Sequence, residues 1–349
     1  MDRLRVGILG ATGMIGQRFF TLLHGHPGFE LVAMYASARR HGSTLASAWR
    51  LPDSPGPEAS GLEIREGSVD AVRGDRLDLV FSALPASAAA VEAELAAAGV
   101  AVFSNASAHR LDAGVPLLVP EVNPDHLGLL GNNGPGFVVT NPNCTVTGLA
   151  LVLHALRRAV RFDRVFVTSY QALSGAGFDG PSAMDSHGNV LPHIPSEEDK
   201  LAAETPKILG RLDGQAIVPA DIRVYANCAR VPVRDGHLEA VTLECEERVD
   251  LGEIAAALAG FRGLPQEKRL PTAPESPILV RTEADRPQPA RDVYAGTPSR
   301  ARGMAVTVGR LRADGAVLRL FLLVNNTIRG GAGGSVLNAE LAHATGHLG

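Results

Sequence analysis

The sequence predicts an α/β protein of two domains, the first of them a nucleotide-binding unit on a parallel sheet. Three observations carry this. At 349 residues the chain is long for one hydrophobic core. From Leu4 to Asn105 short apolar runs alternate with helical segments, the pattern of parallel strands covered by helices. The first apolar run passes straight into GATGMIG, Gly10 to Gly16, which opens a helix.

The elements follow in order. LRVGIL (4–9) is a strand that stops at Gly10. Met14, Ile15, Phe19, Phe20, Leu22 and Leu23 recur at helical spacing until Gly25. FELVAMYAS (29–37) and LDLVFSALP (77–85) read as strands, 86–98 as an alanine-rich helix, and VAVFSN (100–105) as another strand. A second region begins near residue 141. TVTGLALVLHALRRAV reads as a helix with an inward apolar face, and RVFVTSYQAL (164–173) as a strand. The polar, Gly- and Pro-rich stretch 175–199 reads as a surface excursion, and 200–210 as helical. Strands are expected at 222–233 and 237–246, a helix over 251–260, a hairpin of 302–312 with 316–326, and a last helix over 334–345. There is no internal repeat and no low-complexity tract.

Composition narrows the class. The chain is 45% hydrophobic and 20% charged, ordinary for a globular protein, and its net charge of -4 makes no electrostatic case for nucleic acid or an anionic membrane. The N-terminal stretch shows no signal peptide, and the alanine-rich segment carries Glu92 and Glu94, so it is no membrane span. Three cysteines, Cys144, Cys228 and Cys245, without C-x-x-C spacing support neither a disulfide framework nor a metal site, and suit a reducing cytoplasm.

Gly10, Gly13 and Gly16 lie between a strand and a helix, where phosphate binding needs a tight turn and exposed amides at a helix start. This makes Gly10, Thr12, Gly13, Met14 and Ile15 candidate cofactor contacts. An NAD site usually has an acidic residue at the end of the second strand. Here stand Ser37, Ala38, Arg39 and Arg40. Arginine suits a 2′-phosphate, so NADP is expected over NAD; the plain alternative is a pair of solvated loop charges.

In TNPNCTVTG, Cys144 begins a helix among polar neighbours. A free cysteine is usually a small buried hydrophobe. The helix start, which favours a thiolate, and the loop position beside a nucleotide domain argue instead for a nucleophile. A thiolate near a nicotinamide points to acyl transfer onto sulfur with reduction of the thioester, or the reverse from an aldehyde. Such chemistry needs a proton-transfer group and oxyanion donors. Arg230 and His237 bracket a short turn between two strands in RVPVRDGH, and Gln171 ends another. Taken singly, each has a bland reading as a strand-end or turn residue.

Together GATGMIG, NPNCTVTG, SYQALSGAG, EEDKLAAETPKIL, RVPVRDGH and NNTIRGGAGGSVLNAEL resemble aspartate-β-semialdehyde dehydrogenase, in its archaeal and fungal-type branch, from residue 4 to about 345. N-acetylglutamyl-phosphate reductases match less well, since their cysteine usually follows Pro-Gly. The resemblance implies a Rossmann-type NADP-binding domain, residues 1–140 completed by the C-terminal segment 327–349. It also implies an α/β catalytic and dimerisation domain with a mixed sheet, residues 141–326. By the same resemblance Cys144 would be the nucleophile, His237 the general acid/base and Gln171 the orienting amide. Arg230 would hold the substrate carboxylate, Glu197 the ammonium, and Lys200 and Arg110 the phosphate, with Asn143 also at the substrate. Ser174, Gly175 and Asn326 would reach the cofactor. One departure is Ser-Ala-Arg-Arg where the family's cofactor loop often has Ser-Pro-Arg-Ser. The implied reaction is NADPH-dependent conversion of L-4-aspartyl phosphate to the semialdehyde, in lysine, methionine and threonine biosynthesis, by a cytoplasmic homodimer or homotetramer. The three charges of that substrate match the residues carried over. Another acyl phosphate, malonyl-CoA, or a non-catalytic NADP-binding role are the competing readings.

Overall fold

The computed structural model describes residues 3–131 and 136–348; residues 1 and 349, the outer ends of the expected domain ranges, lie outside them. The first sheet has six strands: β1 (Leu4–Leu9), β2 (Phe29–Ala36), β3 (Ile64–Glu66), β4 (Leu79–Ser82), β5 (Ala101–Ser104) and β6 (Phe137–Thr140). Their spatial order is β3-β2-β1-β4-β5-β6, and every neighbouring pair is parallel. Helices α1 (Met14–Leu23), α2 (Leu45–Ala48), α3 (Val69–Gly74) and α4 (Ala90–Ala97) lie in the connections. β4 and β5 are buried throughout and apolar but for their closing serines, as strands covered on both faces should be. β3 and β6 carried no strand expectation, because three or four residues are too few for a period to show.

The strand order reverses between β1 and β4, and the crevice at their carboxyl ends is where such sheets take ligands. Gly10 sits in it at φ +74°, where a Cβ would lie 2.8 Å from the Ala83 carbonyl oxygen. At Gly16 a Cβ would lie 2.2 Å from the Gly10 oxygen, so α1 can pack on its own entry loop only as glycine.

The second region contains α5 (Cys144–Leu156), β7 (Phe162–Gln171), α6 (Ala183–Ser186), α7 (Glu197–Ile208), a small hairpin of β8 (Arg211–Asp213) and β9 (Ala216–Val218), β10 (Arg223–Arg230) and β11 (His237–Cys245). Then come α8 (Leu251–Ala259), α9 (Leu264–Glu267), β12 (Ile278–Arg281), α10 (Pro289–Asp292), β13 (Val306–Asp314), β14 (Val317–Val324) and α11 (Gly333–Ala344). The large sheet runs β10-β7-β11-β14-β13-β12 and is mixed: β10 pairs with β7 and β12 with β13 in parallel, the remaining pairs antiparallel. The expected hairpin of β13 and β14 is present. Helix α5, apolar on nearly every side, lies in the core between this sheet and helices α7 and α8. Helix α11 returns to the first sheet, where Val336, Leu337 and Leu341 pack with Phe19, Phe81 and Phe103.

Two expectations change. Residues 231–236 do not join neighbouring strands; β7 lies between β10 and β11, and the segment steps across its end. Backbone hydrogen bonds from Val231 to Gln171 and from Leu173 to Val233 hold it there. The excursion 175–199 is largely exposed, but its last residues fold back, burying Ile194 and Glu197. Among the described residues no helix is long and apolar enough to cross a membrane.

Candidate active site

The crossing of β7 brings three side chains together. Arg230 pairs in register with Gln171, and Leu238 with Tyr170, so Arg230, Gln171 and His237 end three adjacent strands. All three are buried. Cys144, the first residue of α5, stands against them, with its Sγ 3.2 Å from His237 Nε2.

The Asn-Pro-Asn turn aims the sulfur. Asn143 Oδ1 accepts hydrogen bonds from the Thr145 and Val146 amides, at 2.9 and 3.4 Å, capping α5. The Asn143 amide donates to Glu204 at 2.7 Å, and the Asn141 amide to the Ser104 carbonyl at the end of β5. The other face of the cysteine is closed by Gly330, where a Cβ would fall 2.7 Å from Cys144 Cα.

His237 Nδ1 accepts from the Ala172 amide at 3.1 Å. That bond leaves the proton of the neutral ring on Nε2, the nitrogen that faces the sulfur. Burial pushes the Cys144 thiol up to about 12, with Glu197 adding to it and Arg110 and Arg230 opposing. Burial, helped by Arg230, holds the His237 imidazolium down to about 3. Both shifts favour a neutral thiol beside a neutral imidazole. Desolvation thus opposes the thiolate that the helix start favours.

One helix supplies most of the remaining charge. Glu197 and Lys200, with Glu204 and Lys207, recur at three- and four-residue spacing on α7 and so share its inner face. Glu197 accepts from Lys200 at 2.9 Å, Gln171 at 3.0 Å and Asn143 at 3.0 Å. Burial works against its ionisation, but Lys200 and these donors hold its carboxyl below the usual range. Glu204 pairs with Arg110 at 3.0 Å, and Lys207 donates to the Arg110 carbonyl at 2.8 Å. Arg230 hydrogen-bonds the Ala172 carbonyl at 2.8 Å. Glu204 and Lys207 were not among the candidates from sequence; their spacing from Glu197 is the signal that marks them.

A cleft of about 620 Å³ joins this cluster to the glycine loop. Gly13, Met14, Ile15, Ser174, Gly175 and Asn326 line it, together with Cys144, Asn143, Gln171, Arg110, Glu197, Lys200 and Arg230. Asn326 bridges its walls, donating to Ser174 Oγ at 2.9 Å and accepting from the Gly236 amide at 2.8 Å. No side chain caps the start of α1, the kind of helix end that suits an anion. Thr12 and Gly10 shape the loop without lining the cleft. Ser37, Arg39 and Arg40 stand apart from it, exposed beyond β2, the strand beside β1. His237 is wholly buried behind the sulfur.

A glycine loop at the reversal of a parallel sheet, sharing a cleft with a cysteine–histidine pair, defines a nucleotide-dependent dehydrogenase. Comparison with known proteins agrees. The model of the semialdehyde dehydrogenase NAD binding domain matches residues 5–130, and that of the semialdehyde dehydrogenase dimerisation domain matches residues 153–329. The chain belongs to the semialdehyde dehydrogenase family. It is 44% identical to the aspartate-semialdehyde dehydrogenase of Methanothermobacter thermautotrophicus, over 97% of this chain and 98% of that one. It is similar to the crystal structure of the Candida albicans aspartate-semialdehyde dehydrogenase with NADP, with a TM-score of 0.88, 34% identity and 99% of each chain covered. A malonyl CoA reductase (NADP) of Metallosphaera sedula is 34% identical over 99% of this chain and 98% of that one.

Proposed function

We propose that the protein converts L-4-aspartyl phosphate to L-aspartate 4-semialdehyde, with NADPH as reductant, through a thioacyl intermediate on Cys144. The observation that carries this reading is the 3.2 Å contact of Cys144 Sγ with His237 Nε2 inside a cleft that the glycine loop also lines. The supporting charge pattern is Arg230 for a carboxylate, Glu197 for an ammonium, and Arg110 with Lys200 for a phosphate. Lys200 and Arg110 are paired to Glu197 and Glu204 in this structure, so a bound substrate exchanges its own charges into an existing network.

His237 Nε2 is the nitrogen through which a proton passes to or from the sulfur, with Nδ1 anchored by the Ala172 amide. Arg110 and Arg230 draw the thiol toward ionisation, and the Cys144 amide, unlike the Thr145 and Val146 amides that Asn143 caps, is left for the oxyanion that forms from the acyl oxygen. Gln171, fixed by Ser169 and Glu197, orients the acyl group. For the cofactor, Gly10, Thr12, Gly13, Met14 and Ile15 take the phosphates, Arg39 and Arg40 with Ser37 the 2′-phosphate, and Ser174, Gly175 and Asn326 the nicotinamide end. When bound, it supplies the hydride.

We assign residues 1–140, completed by 327–349, to cofactor binding, and 141–326 to catalysis and pairing of copies. The outer face of the large sheet supports the pairing. It leaves Phe166 and Tyr225 stacked at 5.1 Å and 39% and 46% exposed, with Tyr170 nearby on β7. The proposed assembly is a homodimer or a pair of homodimers.

The second reading, reduction of malonyl-CoA or another acyl phosphate, is favoured by the Metallosphaera relative. One assay separates the two: NADP+ reduction with aspartate semialdehyde and phosphate, against NADP+ reduction with malonate semialdehyde and coenzyme A. The proposal requires the first to be faster; faster coenzyme A-dependent turnover overturns it.

A further inference from the structure

Four arginines among the described residues are buried: Arg18, Arg110, Arg230 and Arg329. Arg110 and Arg329 hold carboxylates, and Arg230 holds the Ala172 carbonyl. Arg18 differs. It is 6% exposed; its Nε lacks a partner, as do those of Arg110 and Arg329, but among the described residues it alone of the four donates no side-chain hydrogen bond. Its nearest charge is Asp53, at 3.9 Å, whose side chain is 79% exposed. A guanidinium carries five N–H donors and no acceptor, and taking it from water without partners is costly. A folded protein keeps such a group where an anion completes it.

Arg18 lies one turn into α1 and lines two adjacent clefts. Arg234 lines both as well; Arg50 lines one, and Arg300 and Arg302 the other. Asp53 and Asp235 are the acidic residues there, and Arg234 and Tyr294 occupy Asp235. Three of the other arginines are partly engaged: Arg50 with Phe178 and Asp179, Arg300 with the Leu22 and Gly25 carbonyls, Arg302 over the Tyr294 ring. The balance is strongly cationic, and Arg18 is its buried member, with the exposed Asp53 at 3.9 Å as its one ion-pair partner among the described residues. The first of these clefts shares Met14, Ser174 and Gly177 with the reaction cleft.

We propose that Arg18, assisted by Arg234, anchors a second anion site that takes inorganic phosphate beside the reaction cleft. The choice of phosphate rests on the proposed reaction, which releases it there. The site is separate from Arg110 and Lys200, and Arg18 touches neither Cys144 nor His237.

The test is equilibrium dialysis of radiolabelled phosphate against NADP+-loaded wild type, Arg18→Met and Arg234→Ala, beside the phosphate-dependent turnover assay. The expected result is two phosphates per chain in the wild type and one in Arg18→Met. In Arg234→Ala, an exposed change that spares the fold, the second phosphate binds about tenfold more weakly, the loss of one charge-assisted contact. In phosphate-free buffer Arg18→Met should melt no lower than wild type, since a buried charge whose one ion pair is long and reaches an exposed carboxylate has been replaced by an apolar side chain. The same phosphate count in wild type and Arg18→Met overturns the proposal. So does weakened NADP+ binding in Arg18→Met at an unchanged count, which would assign the arginine to the cofactor. Two phosphates bound without phosphate-dependent turnover would refute the reaction and leave the site standing.

Discussion

Gly175 is where a single methyl group should separate catalysis from folding. Its backbone lies outside the left-handed region, so alanine is conformationally allowed. A Cβ there would lie 2.7 Å from an Arg230 guanidinium nitrogen, 2.9 Å from His237 Cε1 and 3.1 Å from His237 Nε2. Ordinary contact begins near about 3.5 Å, so both groups must retreat by roughly 0.5–0.8 Å. These are side-chain ends rather than backbone, so the fold can absorb the shift, but the 3.2 Å contact between Nε2 and Cys144 cannot. A displacement near 1 Å costs about 10²-fold where reacting groups must align. Gly175→Ala should therefore lower kcat/KM for phosphate-dependent semialdehyde oxidation by about 10- to 100-fold, or about 1.4–2.7 kcal/mol. Its melting temperature should stay within about 3 °C of wild type, because no core atom is lost. Steady-state kinetics with calorimetry on the same preparation decides it. A folded Gly175→Ala with wild-type kcat/KM would refute the assignment of Arg230 and His237 to the reacting centre.

Cys144→Ala should abolish turnover while NADPH still binds, measured by fluorescence titration; appreciable residual reduction would sink the covalent scheme. Glu204→Ala removes the acceptor for Arg110 and for the Asn143 amide, leaving a buried cation unpaired, and should destabilise the fold by about 3 kcal/mol in urea titration. With its thiol pushed up to about 12, Cys144 in the free enzyme should be alkylated about tenfold faster per pH unit between roughly pH 7 and 10; a plateau near neutrality would contradict the neutral thiol that burial favours. His237 and His154 are held down to about 3 and about 4, both first by burial, below an unfolded value near 6.5. The unfolded chain then binds protons that the native chain refuses, so stability should fall as pH drops from about 6.5 toward 4, and less steeply in His237→Asn. Replacing Arg39 and Arg40 with serine should lower the NADPH-to-NADH preference in kcat/KM by about 10-fold or more, as expected for loss of charge-assisted bonds to a 2′-phosphate.

Local order along the chain was enough to disclose the first domain. The glycine loop, the strands around it and the helix that follows are contiguous, so their period and turn chemistry survive in one dimension. The same holds for Cys144, since a cysteine opening a helix after Asn-Pro-Asn is a local feature, and for the exposed Arg39 and Arg40. The short strands β3, β6 and β12 escaped because a few residues carry no period and gain their backbone partners only from neighbouring strands. What the tertiary structure decided is everything that depends on crossing. Arg230, Gln171 and His237 converge because residues 231–236 step over the end of β7, a relation set by strand order rather than by spacing. The pairing of Glu204 with Arg110, 94 residues apart, arises from the docking of α7 beside the α5 cap. The ionisation of the sulfur was likewise invisible in sequence: a helix start speaks for a thiolate, but burial is a property of the folded interior, and in this site it opposes the dipole.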